Sequence, residues 1–183
     1  GAATGQVLSF NGPTVLNLLD VPCLSDSLMN SPGLLAAASG VYSGWPGATL
    51  LRSDDGGQTY NSLESFTTPS TFVGYCTNSI GAAPTNAMDV TSTLTFDTAS
   101  TGLASVSEAA LFNGANHFAY GANGRWEIIG AKTVTANANG SYTLSNLLRG
   151  RAGTEQNMTT HTARDTLVLL DQSRLRFVLM DVA

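Results

Sequence analysis

The chain has 183 residues, 43% of them hydrophobic and only 11% charged, with a net charge of −5. That length supports one well-filled core, and the shortage of charge argues against both a disordered chain and a basic stripe for phosphates, so no nucleic-acid binding is expected. No apolar run reaches the roughly 20 residues of a membrane span, and two cysteines without C-x-x-C spacing, with two histidines, make no structural zinc site.

The charges are unevenly placed. Residues 1–148 hold three basic and nine acidic side chains, whereas residues 149–183 hold five basic and four acidic. Seven of the eight basic residues are Arg, whose planar fork suits fixed hydrogen bonds, so the arginines clustered near the C-terminus are expected to be structural.

In chain order, Asn11-Gly12 is the first of four Asn-Gly dipeptides, followed by Asn113-Gly114, Asn123-Gly124 and Asn139-Gly140. This pair accepts the positive φ of tight hairpins, so the β-prone segments beside it are expected to run antiparallel. Residues 16–19, 34–42 and 48–52 read as the first strands. Cys23 and Cys76 permit one disulfide or two buried thiols, and Asp20, Asp26 and Asp89 stand alone, without the paired spacing of acid–base catalysis.

Ser53-Asp54-Asp55-Gly56-Gly57-Gln58-Thr59-Tyr60 fits the S-x-D-x-G-x-T-aromatic pattern of an Asp-box. Asp55 is expected to accept backbone N–H groups, Gly57 to supply an unusual backbone angle, and Tyr60 to pack beneath. A β-propeller glycosidase would repeat this box, and one copy in 183 residues reads as a hairpin turn. The small-residue stretch 81–86, containing Pro84, suits either a sub-domain boundary or a loop within one domain. Residues 88–96 alternate, with Val90, Leu94 and Phe96 on one face and Asp89, Thr91, Thr93 and Thr95 on the other, as in a half-buried strand.

Ser105 and Glu108 have capping-box spacing ahead of Ala109-Ala110-Leu111-Phe112, and Asn113-Gly114 supplies a stop, which predicts one short helix. Residues 117–121, 125–129, 132–136 and 141–144 form a predicted meander around the last two Asn-Gly turns. Thr154 is placed to cap a helical turn over 155–158. Residues 166–170 and 175–180 are short apolar runs that suit strands buried on both faces. The fold expected is mainly β, an antiparallel sandwich or barrel-like domain with one or two short helices, spanning 1–183 as a single module.

His161, Asp165 and a serine would provide the parts of a catalytic triad, but no G-x-S-x-G elbow accompanies them, so no catalytic residue is assigned. Neither a cofactor nor a metal is expected. A carbohydrate-binding alternative rests on aromatic faces, chiefly Trp45, Tyr60 and Trp126, with Tyr42, Tyr75 and Tyr120 as further rings. The competing reading places Trp45 and Trp126 in the core, the commoner fate of such residues.

The segment from Tyr142 to Glu155, YTLSNLLRGRAGTE, is followed by His161 and by DTLVLLD from Asp165 to Asp171. It resembles the signature of phage tail and gene transfer agent host-specificity proteins, Y-x-L-S-x-L-L-R-G-R-R-G-T-E, then a His, then an apolar strand ending in Asp. The likeness extends through Glu108–Asn116, Trp126-Glu127-Ile128-Ile129, Leu19-Asp20-Val21-Pro22, Trp45-Pro46-Gly47-Ala48 and Arg52–Gly57. One departure is Ala152, where the family carries a second consecutive Arg. The resemblance implies a C-terminal-region piece of a larger tail-tip protein, made in the bacterial cytoplasm and located in the virion. Its implied partners are other tail-tip subunits, in a homotrimer around the tail axis, while a host-surface glycan is the partner of the carbohydrate-binding alternative. It implies a structural and host-attachment role, with a glycan-degrading enzyme the least favoured reading. From the residues themselves, Arg149, Arg151 and Glu155 are expected to form an ion-paired clasp at a sharp corner made by Gly150 and Gly153, with His161 as a structural neighbour.

Overall fold

The computed structural model describes residues 12–22, 31–42, 44–68 and 70–180. Asn11, Cys23 and Asp26 fall outside them. The elements are β1 (Thr14–Leu19), β2 (Gly33–Gly40), β3 (Ala48–Arg52), β4 (Asn61–Phe66), β5 (Val73–Cys76), β6 (Leu94–Thr98), α1 (Glu108–Phe112), β7 (His117–Gly121), β8 (Glu127–Ala136), β9 (Tyr142–Arg151), β10 (Thr166–Leu169) and β11 (Arg176–Leu179), with a 3-10 turn at Glu155–Asn157.

Six strands close an antiparallel barrel in the order β10-β5-β6-β9-β8-β7. Outside it lie a three-stranded sheet, β1-β2-β11, and the β3–β4 hairpin. The fold is therefore mainly β, and of the two architectures expected its central unit is the barrel. Period-2 alternation builds three apolar layers from these parts. Phe118 and Tyr120 of β7, Ile129 and Ala131 of β8, and Leu167 of β10 fill the barrel interior. Their neighbours Ala119, Ile128 and Val168 face outward and pack with Leu19, Leu35 and Ala37 of the three-stranded sheet. Ala36 and Ala38, on the other face of β2, join Trp45, Phe66 and Val178 in the third layer with the hairpin. Strands buried on both faces explain the unbroken apolar runs near 166–170.

Several local expectations need correction. Residues 88–93 form no strand beyond an isolated bridge of Asp89 to Leu147: Asp89 is buried and its Oδ1 accepts from Thr91 N, Thr91 Oγ1 and Ser92 N, an Asx-type turn that delays β6 to Leu94. Val90, assigned to the buried face, is 70% exposed. The helix forms, but its N-cap is Ser107, which accepts from Ala110 N, while Ser105 Oγ bridges Val134 N and O. Thr154 makes no side-chain cap to the 3-10 turn. Its hydroxyl donates to Arg151 O and accepts from Ile128 N. The stretch 81–86 lies in the connection between β5 and β6, which pair directly in the barrel. β4 and β5 were not anticipated.

The Asp-box does form the β3–β4 turn. Asp55 Oδ1 accepts from Ser53 Oγ, Gln58 N and Thr59 N, Oδ2 accepts from Thr59 Oγ1, and Gly57 has φ +92°. Those bonds, led by the Thr59 hydroxyl, hold the Asp55 carboxyl well below the usual range. Tyr60 is not buried beneath the turn: it is exposed, with only its hydroxyl near Gly57.

Candidate functional site

One end of the barrel is closed by charge. The strand ends at Cys76, Gly121 and Arg151 meet the strand starts at Leu94, Glu127 and Thr166 there, as antiparallel neighbours must. Glu127 and Arg149 share the inward parity of Ile129 and Leu147, so the same alternation that fills the barrel with apolar side chains points an acid and a base into its mouth.

Arg149 is the largest fully buried side chain described. Its Nε and Nη2 donate to Glu127 Oε1 and Oε2 at 2.8 and 2.9 Å, and its Nη1 donates to Gly81 O at 2.9 Å. Nη1 also lies 3.6 Å from Asp89 Oδ2. Gly150 N adds a further bond to Glu127 Oε1 at 2.8 Å. Next in the chain of contacts, His161 Nε2 sits 2.7 Å from Glu127 Oε2 and its Nδ1 3.2 Å from Asp165 Oδ2. The imidazole is stacked on Tyr120 with centroids 3.7 Å apart. Asp165 is then held by both terminal nitrogens of Arg125 and by the Thr162 N–H and hydroxyl.

The electrostatics follow from this geometry. Burial pushes the Glu127 carboxyl up, but bonds from His161 and Arg149, the Arg149 charge and the Gly150 N–H outweigh it, and the group lies below its ordinary value. For Asp165, burial is likewise outweighed, by Arg125, Thr162 and His161, and the carboxyl is held at about 2. In Asp89 the Ser92 and Thr91 donors overcome burial and hold it low. Two arginines (Arg125, Arg149) thus face three carboxylates (Asp89, Glu127, Asp165), with the His161 ring between Glu127 and Asp165, and this pairing is what a low-dielectric site requires.

Chemically, the acids and bases of this arrangement are largely spent on one another, with Asp89 Oδ2 and the Tyr120 hydroxyl left without a hydrogen-bond partner among the described residues. Both ring nitrogens of His161 are taken by carboxylates, so no serine completes a triad. The nearby Cys76 thiol is driven strongly upward by burial and by the Asp165 charge, which keeps it protonated and unreactive. Neither Arg149, Glu127 nor His161 lines any of the three clefts described on the surface.

The expected clasp is thus half right. Arg149 is ion-paired and buried at a sharp corner, where Gly150 has φ +56° and Gly153 φ +78°. Its partner, however, is Glu127 rather than Glu155, which is exposed, and Arg151 is half-buried with its Nε unpaired among the described residues. The reason is strand register: β9 continues through Arg151, pairing it with Ile128, so the corner turns after the arginines and carries Glu155 outward. His161 belongs to the set. Glu127, Asp89, Asp165, Arg125 and Tyr120 were missed as site residues. A legible signal existed for Glu127, since an acid inside Trp-Glu-Ile-Ile on an apolar strand needs a buried partner.

The possible glycan contacts are scattered. Trp126 is 4% exposed and belongs to the layer between barrel and sheet, Trp45 is buried against the hairpin, and Tyr60 is exposed at the far end of that hairpin. Asp55 and Gly57 are likewise remote from the charged plug, in the β3–β4 turn.

Residues 71–168 match the family described as Rcc01698-like, C-terminal. A search of curated proteins finds no match. The matched span is more than half of the chain and runs from just before β5 nearly to the end of β10, so it coincides with the barrel. The chain belongs to the Rcc01698-like C-terminal family.

Proposed function

We propose that this member of the Rcc01698-like C-terminal family is a non-catalytic structural and host-recognition module of a phage-like tail tip. It joins other tail-tip subunits, as a trimer around the tail axis, and positions the parts that meet the host. The observation that carries the non-catalytic part is the plug itself: the groups best suited to acid–base work are spent on one another inside the barrel, and Arg149, Glu127 and His161 line none of the three clefts described. Support for the tail tip comes from the LLRGRAGTE segment and its flanking motifs, which resemble tail host-specificity proteins and which contribute Arg149 to that plug.

Decoration of particles tests the assignment. Antibodies raised against the chain are expected to label one end of the tails of phage-like particles released by the strain that encodes it. Particles that carry no label, while the protein is present in the cell lysate, would overturn it.

A further inference from the structure

Two clefts meet where the three-stranded sheet lies beside the barrel. The larger, of about 490 Å³, is lined by Tyr42, Trp45, Thr68, Ser100 and Thr101, among others. The smaller, of about 260 Å³, contains Tyr75 and Asp97 and shares Gly40 and Ala99 with the first. Together they have the size of a small-ligand site.

Their chemistry is specific. The Tyr42 ring rests against Gly12, where a Cβ would come within 2.5 Å of its Cδ2, yet the residue is 57% exposed, so the ring is held on one side and still open to a ligand. Tyr75 is 44% exposed and sits in register with the exposed Asp97. Trp45 forms a fixed wall, its Nε1 donating to Thr14 Oγ1 at 2.9 Å and its side chain covering Gly40. Exposed Thr68 and Thr101 add hydroxyls. The only cation in the lining, Arg174, is already held by Asp171 at 3.2 Å and by Ser70 O at 3.2 Å. The lining residues thus offer an anion no free positive charge, and Asp97 would repel one.

Open aromatic rings, short-chain hydroxyls and a single carboxylate are the complement of a neutral sugar, which offers an apolar C–H face and hydroxyl donors at its edge. We propose that this double cleft binds a neutral oligosaccharide, with Tyr42 and Tyr75 stacking on sugar rings and Asp97 accepting a sugar hydroxyl. Of the two tryptophans that the sequence suggests, Trp45 walls the cleft and Trp126 lies outside it, and the proposal holds independently of a tail location.

The test is a titration of the whole chain with cellotriose, maltotriose, mannotriose and N,N′-diacetylchitobiose at millimolar concentration, followed by amide chemical shifts. At least one of them is expected to saturate, with shifts confined to residues 40–42, 74–75 and 97–101. Replacing either ring, Tyr42→Ala or Tyr75→Ala, should weaken binding by roughly threefold to tenfold, the worth of one stacked ring. Tyr42→Phe should retain it, and Tyr60→Ala, an exposed ring elsewhere, should change nothing. Both alanine variants should melt with the parent, because the rings are largely exposed. The proposal is overturned if no neutral sugar saturates, if only trigalacturonate binds, or if the shifts map to another surface.

Discussion

In the barrel every strand has two hydrogen-bonded neighbours, the interior is filled by Phe96, Phe118, Tyr120, Leu144 and Leu147, and one mouth is sealed by paired charges. In the flanking sheet, β1 and β11 are edge strands, the middle strand contributes Ala36, Ala37 and Ala38, and Leu16, Leu18 and Leu179 remain exposed. The two regions draw on similar residue types, yet only the barrel closes its own hydrogen bonds and fills its own core. The flank completes its inner layer with residues that the barrel presents outward, Val73, Ala119, Ile128 and Val168. The family match follows the same division. What the contrast teaches is that the barrel sets the stability of the chain, while the flank provides the surface relief, including one wall of the double cleft.

The largest expected effect breaks the plug. Arg149→Ala strands Glu127 in a buried site and should cost about 3–5 kcal/mol in denaturant melts, and Glu127→Ala should do the same by stranding Arg149. Val178→Ala, in the third layer of the flank, removes only apolar atoms and should cost roughly 1–3 kcal/mol. Equal losses at the two sites would mean that the barrel is not the more tightly held region.

Acid should act on the barrel before the flank. Asp165 and Glu127 have carboxyl groups depressed in the folded chain, so their stabilisation is fully present above the unfolded values and fades as pH falls through the folded ones. With Asp165 held at about 2 against an ordinary value of 3.8, its share is lost between about pH 4 and pH 2. That share is on the order of 2 kcal/mol. Asp165→Asn should lower stability at neutral pH and flatten the stability curve across that window. An unchanged acid limb in the variant would remove Asp165 from the plug.

The corner that carries the arginines is sharpened by two small substitutions of opposite sign. At Gly150, with φ +56°, a Cβ would lie 2.5 Å from Met158 Cε and 2.9 Å from Glu155 Cα, so Gly150→Ala should destabilise by roughly 1–3 kcal/mol. Two residues on, Ala152 itself adopts φ +56°. Its replacement by glycine relieves a left-handed alanine and should stabilise by up to about 1 kcal/mol. Matching signs in thermal melts would show that the backbone there is not under the constraint described.

Much of this was legible in the chain. The Asn-Gly turns at 123–124 and 139–140 place the β7–β8 and β8–β9 hairpins, although residues 125–129 and 132–136, read as separate segments, belong to one strand, and the apolar runs place β10 and β11 within a residue or two. The limits of β6 were not legible, because Asp89 satisfies neighbouring N–H groups and ends an alternation that looks continuous from 88 to 96. Nor was β5 apparent, since Val73-Gly74-Tyr75-Cys76 is short and its meaning comes from pairing with β6 and β10. The site shows the same limit: the density of arginine near 150 announces a clasp, but its partners stand 22 and about 60 residues upstream in sequence, at Glu127 and Asp89, and only barrel closure brings them together.

The smallest effect belongs to the flank. Asp55 accepts four bonds that knit the β3–β4 turn, but the turn is exposed and touches neither the barrel interior nor the plug. Asp55→Ala should therefore loosen the hairpin locally while leaving global unfolding nearly unchanged. Hydrogen exchange is the discriminating measurement: amides of β3 and β4, and those of Gln58 and Thr59, should exchange faster, whereas amides of β8 and β9 keep their protection. Faster exchange in β8 and β9 as well would mean that hairpin and barrel open as one unit, and that the division between a self-sufficient barrel and a dependent flank is drawn in the wrong place.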